Sequence, residues 1–174
     1  QYMDSATMVQ PGKNDVLSVK TQIKIASFMD IYGEAALSVF NRNINALEKA
    51  PNDDWKAISN IVGTQTIATQ LYFGMEAGTN FNFKGQNLSL FYKRIAPDFQ
   101  SMGAYFIEND LNAYGIRHSF GFWQNKAQVN YGMSIYSDNL LNKKPVTTYR
   151  YQPNINLSLN PAQSWGLDVS WMDL

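Results

Sequence analysis

The chain has 174 residues, of which 45% are hydrophobic, 14% aromatic and only 16% charged, with 14 basic residues balancing 14 acidic ones. Soluble proteins carry about a quarter charged residues; here the deficit is made up by Asn, Gln, Ser, Thr, Gly and Tyr. The neutral balance argues against a nucleic-acid partner, which needs a basic excess, and the lack of cysteine excludes disulfides and thiolate metal sites.

No run approaches the roughly 18 apolar residues of a membrane helix, so any crossing of a membrane must be made by strands. The chain opens on Gln1-Tyr2-Met3, without an initiator Met or a secretory leader, which reads as processed or cut from something longer.

Period-two alternation dominates from the first strand onward. Leu17, Val19, Thr21, Ile23 and Ile25 alternate with Ser18, Lys20, Gln22 and Lys24. From Thr66 to Phe83 the odd positions include Ile67, Leu71, Phe73, Met75, Phe81 and Phe83, while the even ones include Gln70, Gly74, Glu76, Gly78, Asn80 and Asn82. Ala127 to Ile135, Tyr149 to Leu159 and Trp165 to Trp171 repeat the pattern. Eight strands are predicted, over 16–28, 33–43, 65–83, 86–95, 111–123, 126–138, 146–159 and 163–172. Turn residues mark four tight hairpins: Asp30 to Gly33, Lys84-Gly85-Gln86-Asn87, Gln124-Asn125 and Asn160-Pro161-Ala162-Gln163. Longer connections alternate with these, over 44–64, 96–110 and 139–145. The first is expected to hold a short helix capped by Asp53 or Asp54, with Trp55, Ile58, Ile61 and Val62 as its apolar stripe.

Three features favour an antiparallel transmembrane β-barrel over a soluble sandwich or a lipocalin-like barrel with its apolar faces turned inward. The strands are mostly ten residues or longer, whereas soluble strands peak at about five or six. The polar face carries Asn, Gln, Ser and Gly rather than Lys and Glu, as a lumen would. Aromatics gather toward strand ends, as headgroup-level girdles do: Phe81, Phe83, Tyr105, Phe106, Trp123, Tyr149, Tyr151, Trp165 and Trp171.

The whole of 1–174 then reads as one barrel segment. With tight turns on the periplasmic side, both chain ends fall outside the cell, which points to further strands before and after. Lys20, Lys24, Arg42, Glu76, Lys93, Arg117, Arg150 and Asp168 lie on polar faces and are candidate lumen charges, setting ion preference or holding a plug.

No catalytic, cofactor or metal site is expected. His118, the only histidine, neighbours Ser119, but adjacent strand residues point to opposite faces, so the two form no dyad without a bulge. The acidic loop residues Asp53, Asp54, Glu108, Asp110 and Asp138 lack the spacing of a calcium loop, and capping or turn formation accounts for Asp53, Asp54 and Asp138.

Tyr92-Lys93-Arg94 with Pro97, Ser101 to Phe106, Asn109-Asp110, Asp138-Asn139-Leu140 and Thr147-Thr148-Tyr149-Arg150 together resemble large outer-membrane barrel proteins of the Bacteroidota, the phylum that uses type 9 secretion and gliding. The resemblance covers about half the chain, from Phe91 to Trp171. It implies a bacterial outer-membrane location, lipid as the surrounding partner, and a role beside other envelope or secretion proteins. The expectation is a non-enzymatic pore, translocation channel or scaffold. The alternatives are a soluble or periplasmic β module binding carbohydrate or protein, and a barrel-embedded lipid hydrolase, for which no nucleophile and base share a face.

Overall fold

The computed structural model describes residues 10–50, 53–102, 107–124, 126–162 and 164–173. Eight antiparallel strands form one sheet in strict chain order: β1 Lys13–Ala26, β2 Met29–Asn41, β3 Thr69–Phe83, β4 Gln86–Ile95, β5 Leu111–Phe122, β6 Ala127–Ser137, β7 Tyr149–Ala162 and β8 Trp165–Met172. The sheet is open. β1 and β8 are its edges and do not pair with each other, so barrel closure is not part of the described architecture. One helix, α1 Asp53–Val62, interrupts the β2–β3 connection. No helix among the described residues is long and apolar enough to cross a membrane.

Every tight connection lies at one end of the sheet and every long one at the other. Lys84 and Gly85 both take left-handed backbone at the β3–β4 turn (φ 46° and 79°), the geometry whose twist matches a two-residue hairpin. Trp123 and Gln124 do the same at the β5–β6 turn (φ 52° and 53°), although neither is glycine. Asn125 and Gln163, expected turn residues, lie outside the described residues, as do Tyr105 and Phe106.

The first hairpin departs from the sequence reading. Its turn is Ser27-Phe28, and Asp30 to Gly33 are inside β2. The reason is pairing. With this register Leu17 faces Leu37, Val19 faces Ala35 and Ile23 faces Ile31, so the apolar rows of β1 and β2 coincide. Asp30 is accommodated in the strand because its carboxylate accepts hydrogen bonds from Asn80 Nδ2 (2.8 Å) and Gln22 Nε2 (3.1 Å). At the last hairpin β7 runs on to Ala162 through a register shift after Leu159, so Asn160 and Pro161 end a strand instead of forming the turn.

α1 lies against the apolar face of β2. Trp55 (2% exposed), Val62 and Ile58 pack on Val39 and Leu37. The helix stops at Gly63, whose φ of 85° suits the left-handed position after a helix, with its N–H donating to Ser59 O at 2.9 Å. Ile61, expected in the same stripe, is 65% exposed. Ile58 and Val62 follow Trp55 by three and seven residues and share its face, whereas Ile61 follows by six and turns away. The side chains of Asp53 and Asp54 are outside the described set.

Apart from this helix and the loops, nothing among the described residues covers the sheet. Its register lines one face continuously with apolar side chains, from Val19 and Ile23 through Leu71, Leu90, Ile116, Tyr131 and Ile155 to Val169 and Trp171, all of them exposed. A folded domain normally buries such a face against a second layer. The chain exposes 12610 Å², whereas a compact soluble protein of 19.7 kDa exposes roughly 8,600 Å².

Candidate functional site

The opposite face of the sheet holds the polar residues, and strand register arranges them in rows. One row reads Lys20, Glu34, Glu76, Lys93, Ala113, Tyr136, Arg150, each residue directly opposite the next across seven strands. Glu34 and Glu76 are like charges side by side, a destabilising pair in a sheet. A lysine flanks each of them: Lys20 Nζ lies 3.8 Å from Glu34 and Lys93 Nζ 3.7 Å from Glu76. At the far end Arg150 donates to Glu108 at 2.7 Å while lying over the Tyr136 ring. Exposed pairs of this kind contribute about 0–1 kcal/mol each, so the row adds little stability and chiefly sets the field along this face.

Two residues along each strand, a second row alternates large and small: Tyr32, Gly78, Phe91, Gly115, Ser134. The glycines are required by the rings beside them. A Cβ on Gly78 would stand 2.5 Å from the Tyr32 ring and 2.6 Å from Leu90 O; one on Gly115 would stand 2.5 Å from the Phe91 ring and 2.8 Å from Met133 O. Aromatic rings laid over cross-strand glycines fill a face that cannot accept bulk and pin the register. A third row holds Lys24, Asp30, Asn80, Ser89 and Arg117, with Ser89 Oγ donating to Asn80 at 2.7 Å.

The expected polar-face charges therefore divide. Lys20, Glu76, Lys93 and Arg150 share the first row, and Lys24 and Arg117 the third. Asp168 faces Ser158 at the β8 edge. Arg42 follows the last residue of β2 and sits in the loop, so it is not a strand residue of this face. The sequence reading missed Glu34, and it took Glu108 for a loop carboxylate without placing it beside this row. Glu34 was hidden beside the misplaced first turn, although its even position in the alternation marks it; Glu108 comes from a loop, where no periodicity helps.

Of the expected girdle residues, Phe81, Phe83, Trp123 and Trp165 lie at the tight-turn end, and Tyr149 and Tyr151 open β7 at the long-loop end. Trp171, near the end of β8, pairs with Ile155, midway along β7. His118 faces Leu88 and Tyr131 on the apolar side, its Nδ1 3.1 Å from Tyr131 Oη and its Nε2 3.2 Å from Gln86 Oε1. Ser119 faces Asn87 and Asn130 on the polar side. The sheet separates the two.

Two long loops fold together over the polar face. Phe99 packs on Gly74, and Ser38 Oγ donates to Gln100 O at 2.5 Å. Asp110 accepts the Leu140 and Asn139 amides (2.8 and 3.1 Å) and binds Lys144 Nζ at 2.6 Å. Asp138 holds the same ammonium at 2.9 Å and accepts the Thr148 amide at 2.7 Å. Asn139 closes its own loop by donating to Lys144 O and Thr147 Oγ1. Asp110 and Asp138 thus serve as clasp residues, and among the described residues no three His, Cys, Asp or Glu side chains gather as a metal set.

Burial would raise the Asp110 carboxyl, but the Lys144 ammonium and the two amides outweigh it and hold it below its usual range. Lys144 and the Thr148 amide likewise lower Asp138, and the two carboxylates raise Lys144. Because both carboxyls are depressed, the clasp is complete above the ordinary aspartate value of 3.8 and is lost as the pH falls through the lowered values. Lys144 releases it only as the pH rises past the ordinary lysine value of 10.5 and its own raised value. Asp110→Asn is expected to speed hydrogen exchange at the Asn139 and Leu140 amides roughly tenfold at neutral pH, and the wild type to show the same acceleration only in acid. Unchanged exchange in the variant would remove the clasp.

No family model, curated protein or solved structure matches the chain.

Proposed function

We propose that this sheet is the wall of a β-barrel in a bacterial outer membrane, its apolar face toward lipid and its polar face toward a lumen, and that it works without catalysis as a pore, translocation channel or envelope scaffold. The observation that carries this reading is the uncovered apolar face spanning all eight strands. In water a single layer with one apolar side has no core; in a bilayer that side is solvated by hydrocarbon. Strands of 10 to 15 residues in β1 to β7 exceed the roughly nine to eleven needed to span. An open edge is not tolerated in hydrocarbon, so closure comes from β1 meeting β8 or from additional strands. The resemblance of Asp110, Asp138 to Leu140 and Thr147 to Arg150 to Bacteroidota envelope barrels supports a setting in secretion or gliding machinery.

The test is fractionation of cells carrying the full-length protein, followed by gel migration in detergent with and without boiling. Retention in the outer membrane with a heat-dependent shift is expected. Release as a soluble protein without detergent would refute the reading and favour a β module whose apolar face is covered by another protein layer.

A further inference from the structure

We infer that the polar face carries a binding site for a small oxyanion, a carboxylate or phosphate group, centred on Arg117. The site is a pocket of about 380 Å³ between the charged row and the returning β4–β5 connection, walled by Tyr32, Phe91, Lys93, Ile107, Glu108 and Tyr136 among others, with Arg117 reaching into it.

Charge accounting selects the ligand. Both carboxylates of the pocket wall are already matched, Glu76 by Lys93 at 3.7 Å and Glu108 by Arg150 at 2.7 Å. Among the described residues Arg117 has no carboxylate within ion-pairing distance and no hydrogen-bond acceptor; its guanidinium lies over the Phe91 ring, the guanidinium carbon 5.1 Å from the ring centre. Stacking uses the face of the guanidinium and leaves its in-plane N–H donors unspent, the fork that binds carboxylate or phosphate bidentately. The Tyr32 and Tyr136 side chains bring further hydroxyl donors to the walls. A neutral sugar would leave the charge uncompensated, and a cation would be repelled.

The proposal rests on the lumen reading for its place in transport, because Arg117 would then hold anionic solutes at the pore wall. Binding itself can be measured without it. Inorganic phosphate and succinate are titrated calorimetrically at low ionic strength into the folded full chain. Saturable binding is expected, weakened at least tenfold in Arg117→Gln, several-fold in Arg117→Lys and in Phe91→Leu, and unchanged in Lys84→Gln, which alters a turn lysine. The lysine variant keeps the charge and decides the matter if the glutamine variant folds poorly. Binding of one probe alone supports the site and assigns its chemistry to that group. Absence of saturable binding by folded wild type overturns the site, as does binding that both Arg117 variants leave intact. Binding by a chain that needs no detergent would uphold the site while refuting the lumen; a heat-modifiable outer-membrane protein that binds neither probe would do the reverse.

Discussion

Gly115→Val is expected to cost about 3 kcal/mol or more, the upper end for forcing bulk into a packed site, and to lower the denaturant midpoint of refolding accordingly. Even a single Cβ at this position meets the Phe91 ring at 2.5 Å and the Met133 carbonyl at 2.8 Å. The ring could swing away, but the carbonyl belongs to the neighbouring strand and can move only if the β5–β6 ladder opens. Shortening the ring with Phe91→Leu should therefore restore part of the loss and not all of it. Gly33 supplies the contrast inside the same sheet: the nearest atom to a Cβ there is Glu76 O at 3.7 Å, ordinary contact. Gly33→Ala should be neutral or slightly stabilising, because alanine reduces the freedom of the unfolded chain. Equal effects at the two glycines would contradict the ring-over-glycine packing.

A charge on the apolar face gives the second large effect. Ile116 is the sixth residue of the 12-residue β5, flanked by Leu90 and Met133. In lipid, Ile116→Arg should destabilise the refolded protein by about 2–4 kcal/mol, the range for arginine near the midplane of a membrane barrel. Ser119→Arg, on the polar face of the same strand, should stay within about 0.5 kcal/mol. If water bathes the apolar face, Ile116 at 39% exposure would tolerate the change as well as Ser119 does.

The alternation that defines the two faces was legible in the residues themselves. Phe73, Met75 and Phe81 against Gly74, Glu76 and Asn80 require a strand with one apolar side whatever its partners. Strand bounds followed closely wherever the turn had left-handed formers, as at Lys84-Gly85. They failed at Ser27-Phe28, which has no turn chemistry, because the decoy Asp30 to Gly33 looked more like a turn than the real one. What settled that hairpin was non-local: Asp30 finds Asn80, fifty residues away. The charged row was invisible for the same reason. Lys20, Glu76, Lys93 and Arg150 were each readable as polar-face charges, but their alignment depends on every intervening register. The Arg117 pocket needs a loop to return over the sheet, which no periodicity announces.

The lack of cysteine allows the most direct test of which face meets lipid. Single cysteines are placed along β3, alternating between the faces: Tyr72→Cys, Glu76→Cys and Asn80→Cys on the polar side, and Phe73→Cys, Ala77→Cys and Thr79→Cys on the apolar side. Each protein is refolded into lipid vesicles and exposed to a water-soluble maleimide. Labelling at 72, 76 and 80 with protection at 73, 77 and 79 is the result expected of a lipid-facing apolar wall. Labelling at 73, 77 and 79, or no alternation at all, would contradict it.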